Sequence, residues 1–306
     1  MTSAKRHKTE EPGSSSRAGD GLELPAGPSS FRDVFQWPAR LQERLEMHYG
    51  RELVHSNFAR AKGILMSTTF SGLGTAEVAA AMLAQEYHAG LDSSFFHVFS
   101  SCDCNAHCRQ VLHAAPYQLE ADHIFVDVAD ILCLADQERV QAIVDRYRAK
   151  YSKLSEQAAS AAARKVAMEE CEEQCLEAIM RSFDDIVLQG AARCSKCSGG
   201  ACQRFPTEDE RANAVWVECA GSPCIPFLRG AYGTGLGWLH PVTCAFFSWA
   251  AGLRKHRPDI VLHECVQAFP ASVLRRFLNR HEDLYHVQSV VFSPEDPWQL
   301  RGRFYV

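Results

Sequence analysis

Apolar and polar positions change their period along this chain, and the changes mark out its elements. GILMSTTF, Gly63 to Phe70, is a short apolar and β-branched run with no polar face, the pattern of a strand buried on both sides. TAEVAAAMLAQEY follows with the length and composition of a helix, and FFHVFSS (Phe95 to Ser101) and DHIFVDV (Asp122 to Val128) return to strand character. Upstream, FRDVFQWPARLQERLEMHYGRELV places Leu41, Leu45 and Tyr49 at helical spacing. From Asp136 to Phe183 Gly and Pro are absent, charges of both signs interleave, and Val140, Ile143, Val144, Tyr147, Tyr151 and Leu154 make one apolar stripe. That pattern predicts a long charged helix or a helical hairpin. Strand character resumes at NAVWVECAG (Asn213 to Gly221) and RPDIVLHECV (Arg257 to Val266), followed by a helix through Leu278 and the closing segments YHVQSVVF and RGRFYV.

Strands separated by helices predict parallel βαβ units, hence an α/β fold: a Rossmann-like, open, mostly parallel sheet with helices on both faces, interrupted by a long helical insertion. The boundaries that follow are a disordered tail over 1–30, a first sheet part over 31–135, a cysteine-ended helical insertion over 136–206 and a second sheet part over 207–306.

Composition narrows the classes. A chain of 306 residues that is 46% hydrophobic can bury a substantial core, and no apolar run is long enough for a membrane span. The first thirty residues lack the apolar region of a secretory signal, so a reducing compartment is expected, where thirteen cysteines are thiols, metal ligands or nucleophiles before they are disulfides. The cluster KRHK, Lys5 to Lys8, reads as a nuclear import signal or as solvated charge, leaving nuclear and cytoplasmic locations both open. A net charge of -5 argues against a surface that grips nucleic acid all over, but not against one local basic groove.

The candidate chemistry sits where strands run out. FSGLG (Phe70 to Gly74) is a ligand-approaching glycine loop or a tight strand-to-helix turn, and Asp103 in CDCN is a ribose acceptor or a helix cap. Asp127 after the third strand carries the same ambiguity. Cys224, behind Pro223 at the end of VWVECAG, is a nucleophile or an inert core thiol; Glu264 in HECV is a general acid or a salt-bridged loop residue. WQLRGRFYV puts Gln299, Arg301 and Arg303 on one face of a strand, either a binding face or a solvated one.

Taken in order, these residues resemble the catalytic domain of the cytosine-C5 DNA methyltransferases. Phe70, Gly72 and Gly74 match motif I, Asp103 and Asn105 motif II, Asp127 motif III, and Pro223 and Cys224 motif IV; ECV (Glu264 to Val266) matches motif VI, and Gln299, Arg301 and Arg303 match motif VIII. The resemblance covers about 62–135 and 214–306. It implies an S-adenosylmethionine-dependent methyltransferase fold whose cofactor-binding half is 31–135 and whose catalytic half is 207–306. It further implies cofactor contacts from Phe70, Gly72, Gly74, Asp103, Asp127 and Pro223, a Cys224 thiolate that adds to cytosine C6, Glu264 at N3, and Gln299, Arg301 and Arg303 around a flipped base. DNA is the implied partner. Methylation of RNA cytosine, or a fold kept as a non-catalytic interaction module, are the alternatives.

Two residues depart from the family pattern: Cys265 stands where an Asn follows the motif VI Glu, and Leu228 where a Ser commonly follows the motif IV Phe. The family's target recognition domain and motifs IX and X have no counterpart in this sequence, so weak or partner-dependent activity on duplex DNA is expected. The insertion is expected to be a solvated or partner-binding arm. Cys194, Cys197 and Cys202 have knuckle spacing, but with no second C-x-x-C and no adjacent His the set is incomplete and reads as a cysteine-rich loop before a metal site.

Overall fold

A seven-stranded sheet forms the centre of the protein. In this computed structural model residues 36–60, 63–87, 95–116, 119–228, 233–292 and 303–305 are described. The tail, the KRHK cluster, Gln299 and Arg301 lie outside them, and of Arg303 only the backbone is described.

The first half contributes β1 (Ile64–Thr69), β2 (Phe96–Cys102) and β3 (His123–Phe125), with α3 (Thr75–Tyr87) and α4 (Ala106–His113) between them. Ahead of β1, the single predicted helix is two, α1 (Trp37–Tyr49) and α2 (Arg51–Arg60), because Gly50 turns the chain at φ 86°. The second half adds β6 (Val215–Gly221) and β7 (Ile260–Val266), so that five adjacent strands run parallel. β9 (Arg303–Tyr305) pairs antiparallel with β7 and with β8 (Val290–Phe292). The expected α/β architecture is therefore present. From β1 the chain moves to one side through β2 and β3, then returns to the other side through β6. The edge between β1 and β6 is the topological switch point, where open α/β sheets place their ligands.

Both faces of the sheet are covered. Ile124 and Phe125 are neighbours on β3 and point to opposite faces; Ile124 packs with Val98 and with Leu112 of α4, while Phe125 belongs to the larger core that holds α8 (Thr243–His256) and α9 (Ala271–Leu278).

The insertion departs from expectation. It is a hairpin of α5 (Leu134–Gln157) and α6 (Ala161–Asp184), and it is not a solvated arm. The stripe read from the sequence faces inward: Val140 and Val144 are fully buried, and Ile143, Tyr147, Tyr151 and Leu154 pack against the main core. From α6, Cys171, Cys175, Ile179 and Met180 are equally buried, and Phe183 meets Phe277 of α9 edge-on at 5.8 Å. Charged pairs between Arg276 and Glu173 (2.9 Å) and between Arg280 and Asp184 (3.0 Å) flank that contact. A near-equal mix of charges conceals such a docked helix, because only one residue in three or four needs to be apolar.

After α6 the chain makes a short antiparallel ribbon, β4 (Ala191–Arg193) and β5 (Ala201–Gln203), then the turn α7 (Glu208–Arg211), before β6. Arg204, directly after β5, is only 4% exposed. It donates to Ser100 Oγ (3.1 Å) and Thr69 Oγ1 (3.0 Å), and Thr69 donates in turn to Glu218 of β6 (2.6 Å). Glu218 also accepts from Trp249 Nε1 (3.0 Å); burial raises its pKa although Arg204 and these donors pull it down. This buried network ties the end of the insertion to β1, β2 and β6.

Candidate functional site

β1 ends in a strained turn. Phe70 sits in the left-handed region at φ 57°, a conformation that costs a non-glycine residue about 1–2 kcal/mol, and Gly72 and Gly74 follow at φ 58° and 81°. At Gly74 the φ itself favours glycine, and a Cβ there would also crowd the Leu112 side chain of α4 at 3.2 Å. The turn is fastened to the end of β2: Ser71 N donates to Cys102 O (2.9 Å), and Gly72 N donates to Asp103 Oδ2 (2.8 Å). Asn105 N donates to the other Asp103 oxygen (2.8 Å), while Asn105 itself caps α4 by accepting from His107 N.

The two aspartates thus resolve differently. Asp103 is not the cap of its helix; it bridges two strand-end loops, with one donor on each oxygen and room for further acceptance. Asp127 is a cap, accepting from Ala129 N (2.9 Å) at the start of a 3-10 turn.

Phe70, Asp103, Asp127 and Pro223, from four separate strand ends, line one cleft of about 490 Å³. Gly72 and Gly74 are not among its lining residues. Its opposite wall is α5, through Leu134, Gln137, Glu138 and Gln141, with Val242 and Ala245 near the start of α8. No motif announces this wall, because α5 lies in the insertion. Among the described lining residues three are acidic, Asp103, Asp127 and Glu138, and none is Lys or Arg.

Beneath the turn lies a second feature that motif reading passed over. Glu77, in the first turn of α3, is 2% exposed; its Oε1 accepts from Thr68 (2.5 Å) and Ser101 (2.8 Å), while its buried Oε2 has no partner among the described residues. Its place three residues after Gly74 was the available signal.

Cys224 lies in the turn after β6, half-buried against the main core, and its carbonyl accepts from Phe227 N (3.0 Å) and Leu228 N (3.1 Å). Contrary to expectation, Glu264 is not a loop residue: β7 runs on through Val266, so Glu264 is a strand residue opposite Gly221, and its Oε2 lies 3.6 Å from the place a Cβ would take on Gly221. Arg303 pairs with Val266 through β9, so its backbone follows the same edge. Cys265, at the position where the resembled family has Asn, is buried; its thiol donates to the Ser222 carbonyl at 3.8 Å, a weak brace under the Cys224 turn. Burial pushes its pKa up to about 11, so it is held as a thiol.

The turn has a second brace in His263, which is 1% exposed among Phe246, Trp249 and Phe269. Its Nε2 lies 2.7 Å from Ser222 Oγ, and burial pushes its pKa down to about 3. A histidine kept neutral by folding contributes stability that is present above its unfolded pKa and lost as pH falls through the window from about 6.5 to about 3. Urea titrations at about pH 7.5 and pH 5 should therefore differ by about 2 kcal/mol on account of this residue, and His263→Gln should shrink the difference by that amount.

His123, Cys194, Cys197 and Cys202 also come together, away from the cleft, with ligand atoms all within 4.8 Å. No protein-family model matches the chain, and no curated protein matches it significantly.

Proposed function

We propose that the chain is an S-adenosylmethionine-dependent methyltransferase that modifies cytosine C5 in DNA. The observation that carries this reading is the cleft at the switch point, where four strand ends converge on an acidic lining without described Lys or Arg. A dinucleotide or nucleoside phosphate calls for cationic side chains or a phosphate-cradling loop, whereas a cofactor bearing a sulfonium and an ammonium favours carboxylates. The volume suits a ligand of that size, and Asp103, at the end of β2, has acceptor capacity left for ribose hydroxyls.

Within this reading the cofactor supplies the methyl group, and the chain's own residues prepare the ring. The Cys224 thiolate adds to C6, moving electron density onto C5, while Glu264 donates a hydrogen bond or proton at N3 and stabilises the charge that gathers there. Once C5 carries the methyl, its proton leaves to a solvent base and the Cys224 thiolate is expelled from C6. Cys224 follows β6, Glu264 lies near the end of the neighbouring β7, and β9, which carries Arg303, pairs with β7.

The test is incubation with 5-fluorocytosine oligonucleotides and cofactor, since fluorine at C5 blocks the last elimination and leaves a protein adduct. An adduct on DNA at Cys224 supports the reading; an adduct on RNA alone, or none on either polymer, overturns it. Cofactor binding is checked separately. Calorimetry should give a saturable isotherm, and ligand at a hundredfold excess over its dissociation constant should stabilise the fold by about 2.7 kcal/mol. Asp103→Ala should weaken binding at least about tenfold, since a lost charge-assisted bond is worth about 1.5–3 kcal/mol.

A further inference from the structure

We infer that His123, Cys194, Cys197 and Cys202 form a closed, structural zinc site that fastens the end of the insertion to β3. Local sequence brings the three thiols together. Cys194 and Cys197 open a tight turn, Gly200 reverses the chain at φ 75°, and Cys202 returns on β5 opposite Ala192.

The fourth ligand comes from far along the chain. Ser195 N donates to Ile124 O (2.8 Å), Val126 N donates to Arg193 O (3.1 Å), and Phe125 bridges to Cys194. The ribbon thus continues the sheet beyond β3 and carries its thiols to His123 at the start of that strand.

Geometry matches a tetrahedral ion. With Zn–S near 2.3 Å and Zn–N near 2.0–2.1 Å, a sulphur and a nitrogen on one tetrahedron stand about 3.6 Å apart. Cys197 Sγ and His123 Nδ1 are 3.5 Å apart. Three soft thiolates and an imidazole select zinc over calcium or magnesium, which take oxygen ligands. Four protein ligands leave no open position for substrate, so the ion holds structure and does no chemistry.

The experiment uses the full chain, purified under reducing conditions without added metal and after chelation. Elemental analysis of the untreated protein should give one zinc per chain. The chelated protein titrated with cobalt(II) should develop the visible bands of a tetrahedral thiolate complex, which zinc then bleaches. His123→Ala and Cys197→Ser should each lower zinc affinity at least about tenfold, since even outer partners of ligands are worth that much. Cys108→Ser, outside the cluster, should leave the cobalt spectrum unchanged. Chelation should also lower Tm, and zinc should restore it. Reduced wild-type protein that takes up no zinc and gives no thiolate–cobalt bands overturns the proposal, as does a Cys194–Cys197 or Cys197–Cys202 disulfide in place of metal. Unchanged affinity in His123→Ala removes the histidine and overturns the four-ligand site. Each outcome is independent of methyl transfer.

Discussion

Serine in place of Cys224 should reduce methyl transfer and covalent capture of 5-fluorocytosine DNA to background while the protein remains folded and still binds cofactor. Serine fits because Cys224 is only half-buried, and its structural contribution is a carbonyl that accepts from Phe227 and Leu228, which any residue supplies. The loss is chemical: a serine hydroxyl is far less acidic than a thiol and cannot add to C6 without a strong base beside it. Two companion variants separate this from general damage. Glu264→Gln keeps the shape but removes the proton, and should slow transfer by about 100- to 10,000-fold with cofactor affinity intact. Cys219→Ser alters a thiol on β6, just before that turn, whose pKa burial pushes up to about 12, and should leave the adduct in place. Mass spectrometry of the trapped peptide and tritium transfer from labelled cofactor measure both effects. Full activity in Cys224→Ser would end the nucleophile assignment.

The largest stability effect is expected at Arg204. Replacing it with Met should cost about 3–5 kcal/mol, because the change strands Glu218, which is 5% exposed, with no cation nearby. Thr69 feels the change too, since its hydroxyl accepts from Arg204 while donating to Glu218. Removing the charge with the partner should undo much of this loss: Arg204→Met with Glu218→Gln should recover more than half of it, a coupling that denaturant midpoints in a double-mutant cycle measure directly. Additive losses would mean that Arg204 acts through Phe125, over whose ring it lies at 4.6 Å, and not through Glu218.

Much of the sheet is legible in the sequence for one reason: strands buried on both faces must be apolar throughout, and β1 is buried at every position after Ile64. Loops at strand ends are equally readable as places. Asp103, Asp127 and Pro223 converge because parallel strands put their carboxyl ends on one edge, whatever the loops contain. Side-chain roles were less accessible. Whether Asp103 or Asn105 caps α4 depends on a turn geometry that the string DCN leaves open; Asn105 is that cap, while Asp127 caps the 3-10 turn after β3. Least visible were contacts between segments distant in sequence. Nothing near Cys194 announces His123, since their meeting depends on the ribbon lying along β3. In the same way, the apolar stripe of α5 was plain, but not that it docks on the core or that the first turns of that helix wall the cleft.

The pairing of β1 with β6 also has a consequence for biosynthesis. Thr69 and Glu218, hydrogen-bonded in the centre of the sheet, are 149 residues apart in sequence. At about 5–20 residues per second, a ribosome takes roughly 7–30 s to deliver the second after the first. The α5–α6 hairpin is local and forms within microseconds of being exposed, long before the strand that follows it exists. The middle of the sheet is therefore among the last parts to close on a nascent chain, and the bare edge of β1 is the segment that most needs shielding from other chains until β6 arrives.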